Sequence, residues 1–361
     1  MQLDLIATAI ALLTFFSISG LMALSLNLEY GLAGIPNFGK ALFVSIGAYT
    51  AGWTYTRLLP LLNGADALDP CGLTMGQALQ VRSEILRTLP LHALGNFAIT
   101  LFIAALIGGA VGWLASYPAL RLKEEWYLAL VLLVGSEILR IVVRGYDPLV
   151  CGTNGLSGIA QPFAWMGTLT GSPRVAALCF LGLTLLLLAG AYVYAERLVR
   201  SPFGRLLKAV RENPDVAQEL GKNVPRIRAG VMFIGSALAA VAGVLFAVNL
   251  GFVSTNDYAV ALTLDVWVMV VLGGVGNNRG ALLGAAIVTL LDRVTAITAI
   301  RLDMLGSPFE FNYVRFILFG VILLLMLRYR REGLLPEPVR TTGAHEVLAK
   351  EGAADSSPAS L

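Results

Sequence analysis

Residues 201–230 read SPFGRLLKAVRENPDVAQELGKNVPRIRAG, a basic polar run set between two apolar stretches at about 175–195 and 229–250. It is punctuated like folded structure. Ser201 followed by Pro202 supplies a cap and a first helical residue, and the pattern runs on to about Glu212. Asn213 with Pro214 repeats the signal for a second helix, which Gly221 can close in a left-handed conformation. Two short capped helices with a tight elbow suit a docking element. The plainer reading of the same pattern is a solvated amphipathic hairpin on a membrane surface.

Outward from this run the chain is dominated by apolar stretches of about 18 to 25 residues, the length that crosses a hydrocarbon core. Of the 361 residues 57% are hydrophobic and 14% charged, well below the ~25% charged residues of a soluble domain. The spans expected are roughly 5–27, 38–57, 94–117, 126–143, 175–195, 229–250, 262–275, 281–299 and 313–328. The predicted fold is therefore an all-α polytopic membrane protein of 8–10 transmembrane helices. The shortest spans, 262–275 above all, are predicted to be broken or re-entrant, with their backbone lining protein or water. Glycine, at 38 residues, fits close helix packing in lipid.

Lysine and arginine in short loops predict orientation. Segment 196–228 carries Arg197, Arg200, Arg205, Lys208, Arg211, Lys222, Arg226 and Arg228, and the end of the ninth span adds Arg328, Arg330 and Arg331. Both are placed in the cytoplasm, with Arg121 and Lys123 marking a third inner loop. Span counting then puts the N-terminus outside and the C-terminus inside. Residues 1–331 form the membrane domain, 58–93 an external insertion with an amphipathic helix over Met75–Thr88, and 196–228 the inner loop. Residues 332–361 are expected to be a disordered tail.

Chemistry-bearing residues are sparse. Cys71, Cys151 and Cys179 lack metal-binding spacing, and His92 and His345 lie far apart, so no metal site is expected. Cys71 and Cys151 both fall outside, where a disulfide or two free thiols are open readings. GGVGNNRG at 273–280 lacks the lysine of a phosphate loop, and no other segment supplies one. Ionisable residues inside spans are costly and hence functional candidates. Glu137 and Arg140 sit three apart on one helix face and can neutralise each other. Asp265 opens the short seventh span and is expected to meet Arg293 or Arg315 across helices; Asp292 adjoins Arg293. An ATP-independent transporter or channel would use Glu137, Asp265 and Asp292 as ion sites. A membrane enzyme lacks any nucleophile or paired acids to work with.

GLAGIP at 31–36 and GLSGIA at 155–160 echo each other across the chain, either as an inverted repeat or as two unrelated glycine-rich turns. These breaks carry Gly34, Asn37, Thr153, Asn154 and Ser157, candidates for a translocation path in which helix ends meet the charges of a small solute. Ordinary helix termination explains them equally well.

RENPDVAQELGKNVPRIR resembles the cytoplasmic coupling loop of ABC importer permeases, with Gly204, Arg205, Arg211, Glu212, Ala217, Gly221, Val224 and Pro225 as its candidate coupling residues. NLEYGLAGIPNFGKALFVSIGAYTAG, YLALVLLVGSEILR with GTNGLSGI, LDVWVMVVLGGVGNNRGALLGAAI and VRFILFGVILLLMLRYRREGLLPE resemble one branch of these, the permeases of branched-chain amino acid importers. Two departures stand out: the 58–93 insertion is long, and Pro214-Asp215 interrupts a normally continuous helix. The resemblance implies an inner-membrane subunit that pairs with a second homologous permease, two ATPase subunits on the inner loops and a soluble binding protein outside. ATP and Mg2+ would sit on the ATPases, no cofactor on this chain, and nucleic acid plays no part. The implied solute is a branched-chain amino acid, with urea, amides and small organic acids carried by relatives of the same architecture.

Overall fold

The computed structural model describes residues 4–64, 68–72, 74–121, 125–303, 314–330 and 332–338. Helix α1 (Leu5–Leu26) starts at Asp4, whose carboxylate accepts from the Ala7 backbone N–H, and runs into a π-helical turn at Asn27–Leu32. The glycine-rich break that follows carries a left-handed Gly34 and leads into α2 (Lys40–Trp53), which a second π-helical turn (Thr54–Leu58) and the short α3 (Leu59–Leu62) extend. The amphipathic α4 (Met75–Thr88) has the bounds expected from sequence. Long helices α5 (Pro90–Arg121) and α6 (Glu125–Arg144) come next, then the single turn α7 (Asp147–Val150), strand β1 (Leu156–Ser157) and the short α8 (Ala164–Thr170).

Helix α9 (Pro173–Arg200) leads to the hairpin α10 (Pro202–Glu212) and α11 (Pro214–Glu219), and α12 (Val224–Leu250) returns through the bundle. Strand β2 (Phe252–Val253) pairs antiparallel with β1, Leu156 opposite Val253, before a 3-10 turn at Thr255–Tyr258. Helices α13 (Val260–Gly273), α14 (Asn278–Asp303) and α15 (Val314–Tyr329) close the described chain. Each of the nine expected spans corresponds to a helix, and six helices among the described residues are long and apolar enough to cross a membrane. Helix α13, 14 residues long and continuous, spans about 21 Å at 1.5 Å per residue, short of a ~30 Å core.

Helix α12 is the axis of the packing. Some 67% of its most apolar stretch is buried, against 28–39% for the other five long helices. It is gripped by α2 and α5 through small residues: a Cβ on Gly47 would overlap the Ala240 carbonyl, and one on Gly243 would overlap the Val44 carbonyl. Gly108 and Gly112 of α5 meet Ala240 and Ser236 in the same way. Lipid offers no hydrophobic drive between helices, so backbone approach of this kind supplies the dispersion contacts that hold them.

The bundle has two distinct ends. One carries α10 and α11; the other carries α4, the β1–β2 pair and Cys71–Cys151. Residues 332–338 correct the expectation of a free tail from 332. Leu334 and Leu335 donate to the Leu272 and Gly273 carbonyls at 3.0 and 2.9 Å, satisfying groups that the end of α13 leaves open. Residues 339–361 lie outside the described part.

Candidate functional site

The hairpin is organised by the caps its sequence encodes. Ser201 Oγ accepts from Gly204 N at 3.1 Å, Asn213 Oδ1 from Val216 N at 3.1 Å and Asn223 Oδ1 from Arg226 N at 3.1 Å. Gly221 (φ +76°) ends α11, with Gly221 N donating to Gln218 O and Lys222 N to Ala217 O, the paired bonds of a Schellman ending. Pro214 breaks the two helices apart, as the departure from the family pattern implied. Gly204 is held against the Leu198 and Val199 carbonyls, where no side chain fits.

One face of the hairpin is inward: Val210, Ala217 and Val224 form a small cluster with Leu206 and Ile227, and Leu207 joins the main core. Pro225 starts α12 beside it. The other face is open, with Phe203, Arg205, Glu212, Val216 and Leu220 exposed, Leu220 by 73%. Lys208 and Arg211 face the C-terminal segment, where Glu337 binds both, at 2.5 and 2.9 Å. Arg211 also donates to the Gly31 carbonyl and packs against Gly34. Asn277 Nδ2 donates to Pro336 O at 3.0 Å, tying the same segment to the α13–α14 turn. Residues 332–338 thus strap the hairpin to the broken end of α1.

Behind this strap lies a polar core that the reading of intramembrane charges missed. Lys40 Nζ is 2.6 Å from Glu29 Oε2, and both side chains are fully buried. Ser25 Oγ accepts from Lys40 at 2.6 Å, and Asn37 Nδ2 donates to Glu29 at 2.7 Å. Asn27 Nδ2 donates to Asn278 Oδ1 while Asn27 Oδ1 accepts from Gly276 N, both at 2.9 Å. A buried pair survives only when its remaining hydrogen-bond capacity is met, and these neighbours meet it. The signal in the sequence was an acid and a base flanking the Gly-Pro break in NLEYGLAGIPNFGK.

At the other end, Cys71 and Cys151 are joined in a disulfide (S–S 2.09 Å, Cα–Cα 5.0 Å). Arg82 of α4, only 2% exposed, donates to Ala78 O at 3.1 Å and to Ser157 O at 3.2 Å, clasping α4 to β1. Burial pushes the Arg82 guanidinium below the usual arginine range.

The path candidates are not brought together. Gly34 and Asn37 lie at the hairpin end, each engaged there, while Thr153 and Asn154 are exposed at the disulfide end and Ser157 is paired in β1. Glu137 and Arg140 neutralise each other along α6 at 2.7 Å. Asp265 and Arg293 do line one space, a cavity of about 330 Å³ between α1, α12, α13 and α14, with Asp292 beside Arg293 at 3.8 Å. Arg293 lies over the Phe15 ring, 3.3 Å from its centre. The Arg315 side chain is outside the described part. Asp257, on the 3-10 turn at the cavity's mouth, is pushed above the usual carboxylate range by burial, a rise partly offset by the Ser254 backbone.

The model of the family described as branched-chain amino acid transport system / permease component matches residues 8–327, and the chain belongs to that family. It is 34% identical over 339 residues to the probable branched-chain amino acid transport permease protein LivM of Methanocaldococcus jannaschii, covering 93% of this chain and 95% of that one. LivM of Escherichia coli, a high-affinity branched-chain amino acid transport system permease protein, is 30% identical over 345 residues, 91% of this chain and 69% of that one. The autoinducer 2 import system permease protein LsrC of Salmonella paratyphi B is 30% identical over 262 residues, 65% of this chain and 75% of that one. No solved structure matches significantly.

Proposed function

We propose that this chain forms, with a second homologous permease, the membrane path of an ABC importer for branched-chain amino acids. Two ATPase subunits, holding ATP and Mg2+, engage the hairpin from the cytoplasm, and a soluble binding protein delivers solute to the disulfide end. The positive charge of 196–228 supports placing the hairpin end inside and the N-terminus outside. The observation that carries the reading is the hairpin's division of labour. Its inner face is strapped through Lys208, Arg211 and Glu337 to the broken end of α1, while Phe203, Glu212, Val216 and Leu220 stand exposed, uncovered by any of the described residues. A push on the outer face is thereby handed to α1 and the α13–α14 turn. The chain acts as a transport subunit and takes its energy from partners, since its sequence offers no phosphate loop.

The test is co-purification of the tagged chain with its partners, followed by ATPase and uptake assays in proteoliposomes with Glu212→Arg and Gly221→Trp. Glu212 is exposed, so its change meets no core, whereas Gly221→Trp puts a side chain on a backbone at φ +76° and distorts the ending of the hairpin itself. Loss of ATPase assembly or of solute-stimulated turnover is expected in both. Leucine uptake by the wild type without any ATPase would overturn the reading in favour of an ion-coupled transporter.

A further inference from the structure

The clasp between α4 and β1 turns on a buried charge. Arg82 is 2% exposed, and an arginine keeps its proton in a protein interior, so its charge cannot be shed as a lysine's can. Nε and Nη2 of the guanidinium end on the neutral carbonyls of Ala78 and Ser157, while Nη1 has no hydrogen-bond acceptor. No carboxylate among the described residues pairs with it. The acids nearest along the chain are placed elsewhere: Glu84 is exposed, and Asp69 Oδ1 accepts from Cys71 N at 3.0 Å. Buried charges are paired or hold an ion, because an unanswered charge is among the costliest groups to bury.

Arg82 also walls a small space at this end of the bundle. Thr56, Pro60, Leu68, Ala78 and Val81 line the rest of it, and the centre of a water-sized sphere has about 10 Å³ to move in. One sphere of that size or slightly larger fits, whereas a carboxylate, phosphate or sulfate does not. Arg82 is the one charged residue in this lining, and Thr56 already spends its hydroxyl proton on the Gly52 carbonyl at 2.8 Å. The surroundings are shaped to admit the guanidinium. Gly158, left-handed at φ +89°, carries no Cβ, and one placed there would stand 3.2 Å from Arg82 Nη2.

We propose that this space binds a single halide ion, chloride where no other is supplied, with Arg82 Nη1 donating to it, and that the ion completes the clasp of α4 on β1. A water molecule would give Nη1 an acceptor and leave the charge unbalanced; a halide does both. Larger anions are shut out by volume, and cations are repelled by the guanidinium. The site lies at the disulfide end, and its argument is independent of the importer reading.

The complex that co-purifies with the tagged chain is placed in nanodiscs and melted in sodium chloride, sodium bromide or sodium gluconate at constant ionic strength, so that screening is the same in all three. Melting is expected to rise saturably as chloride replaces gluconate, as binding to the folded state requires, and bromide is expected to substitute for chloride. In Arg82→Gln the melting temperature should be equal in chloride and gluconate. Ala78→Val keeps the arginine and fills the space, and should raise the half-saturating chloride concentration at least about tenfold. Equal wild-type melting in chloride and gluconate shows that the space holds water alone and overturns the proposal. Chloride dependence that survives in Arg82→Gln overturns it too. Should that variant not fold, Ala78→Val decides, and an unchanged half-saturation there places the ion elsewhere.

Discussion

At the disulfide end, a covalent bond between Cys71 and Cys151 fastens the segment before α4 to the turn after α7, and the buried Arg82 clasps α4 to β1. At the hairpin end the fastening is ionic: Glu337 bridges Lys208 and Arg211 with all three side chains about a quarter exposed. Partly exposed pairs of this kind contribute about 0–1 kcal/mol each and re-form readily once broken. A surface that must present one fixed shape gains from a staple, whereas an element that must be pushed and return gains from contacts that break cheaply. The difference matches the proposed roles, a rigid receiving face on one side and a moving coupling element on the other.

The comparison breaks most sharply one layer below the strap. Lys40→Met leaves the Glu29 carboxylate buried beside an apolar side chain, and should lower stability by roughly 3–5 kcal/mol, the cost of an uncompensated buried charge. Thermal melting in detergent should show a large drop, with most of it recovered in the Lys40→Met/Glu29→Gln double variant. A single variant that melts like wild type would show that the pair does not hold the α1–α2 junction.

Next in size is Cys71→Ser. Opening a link across a sequence separation of 80 releases up to about 4 kcal/mol of chain constraint, less in a bundle that the membrane already restrains. Melting should fall in this variant, and equally in wild type under reducing agent, while ATPase coupling stays intact. A loss of coupling here would erase the contrast between the ends.

Glu337→Gln should cost about 1 kcal/mol or less in melting yet reduce solute-stimulated ATPase by about half or more, because the strap and not the fold is weakened. Partial recovery in Lys208→Glu/Glu337→Lys would identify the ion pair as the cause. Smallest of all, Glu137→Gln should shift melting by about 0.5 kcal/mol or less and leave transport unchanged, since its pair with Arg140 lies within one helix and is about a quarter exposed.

Much of this was legible locally. The bounds of α4, the Ser201 and Asn213 caps and the Gly221 ending follow from short-range signals, a side-chain oxygen reaching an N–H two or three residues on or a glycine taking a positive φ. The nine spans follow from length and hydropathy. The glycine-rich breaks were visible as breaks, but that Asn37 bonds Glu29 and Ser157 pairs with Phe252 was not, because each partner is brought up only where the chain folds back.

The sequence by itself determined that this is a multi-pass helical membrane protein with one capped basic hairpin, because lipid imposes length and composition on every span and caps act within a turn. Only the tertiary structure decided that Glu337 reaches Arg211 across 126 positions, that Arg211 reaches Gly31 across 180, that Glu29 and Lys40 share one buried site and that Asp265, Thr289 and Arg293 face one cavity. Those contacts depend on which helices lie side by side and how each is rotated, and that is settled by the close approach of small residues along α2, α5 and α12, a property of surfaces in contact that no local window of sequence contains.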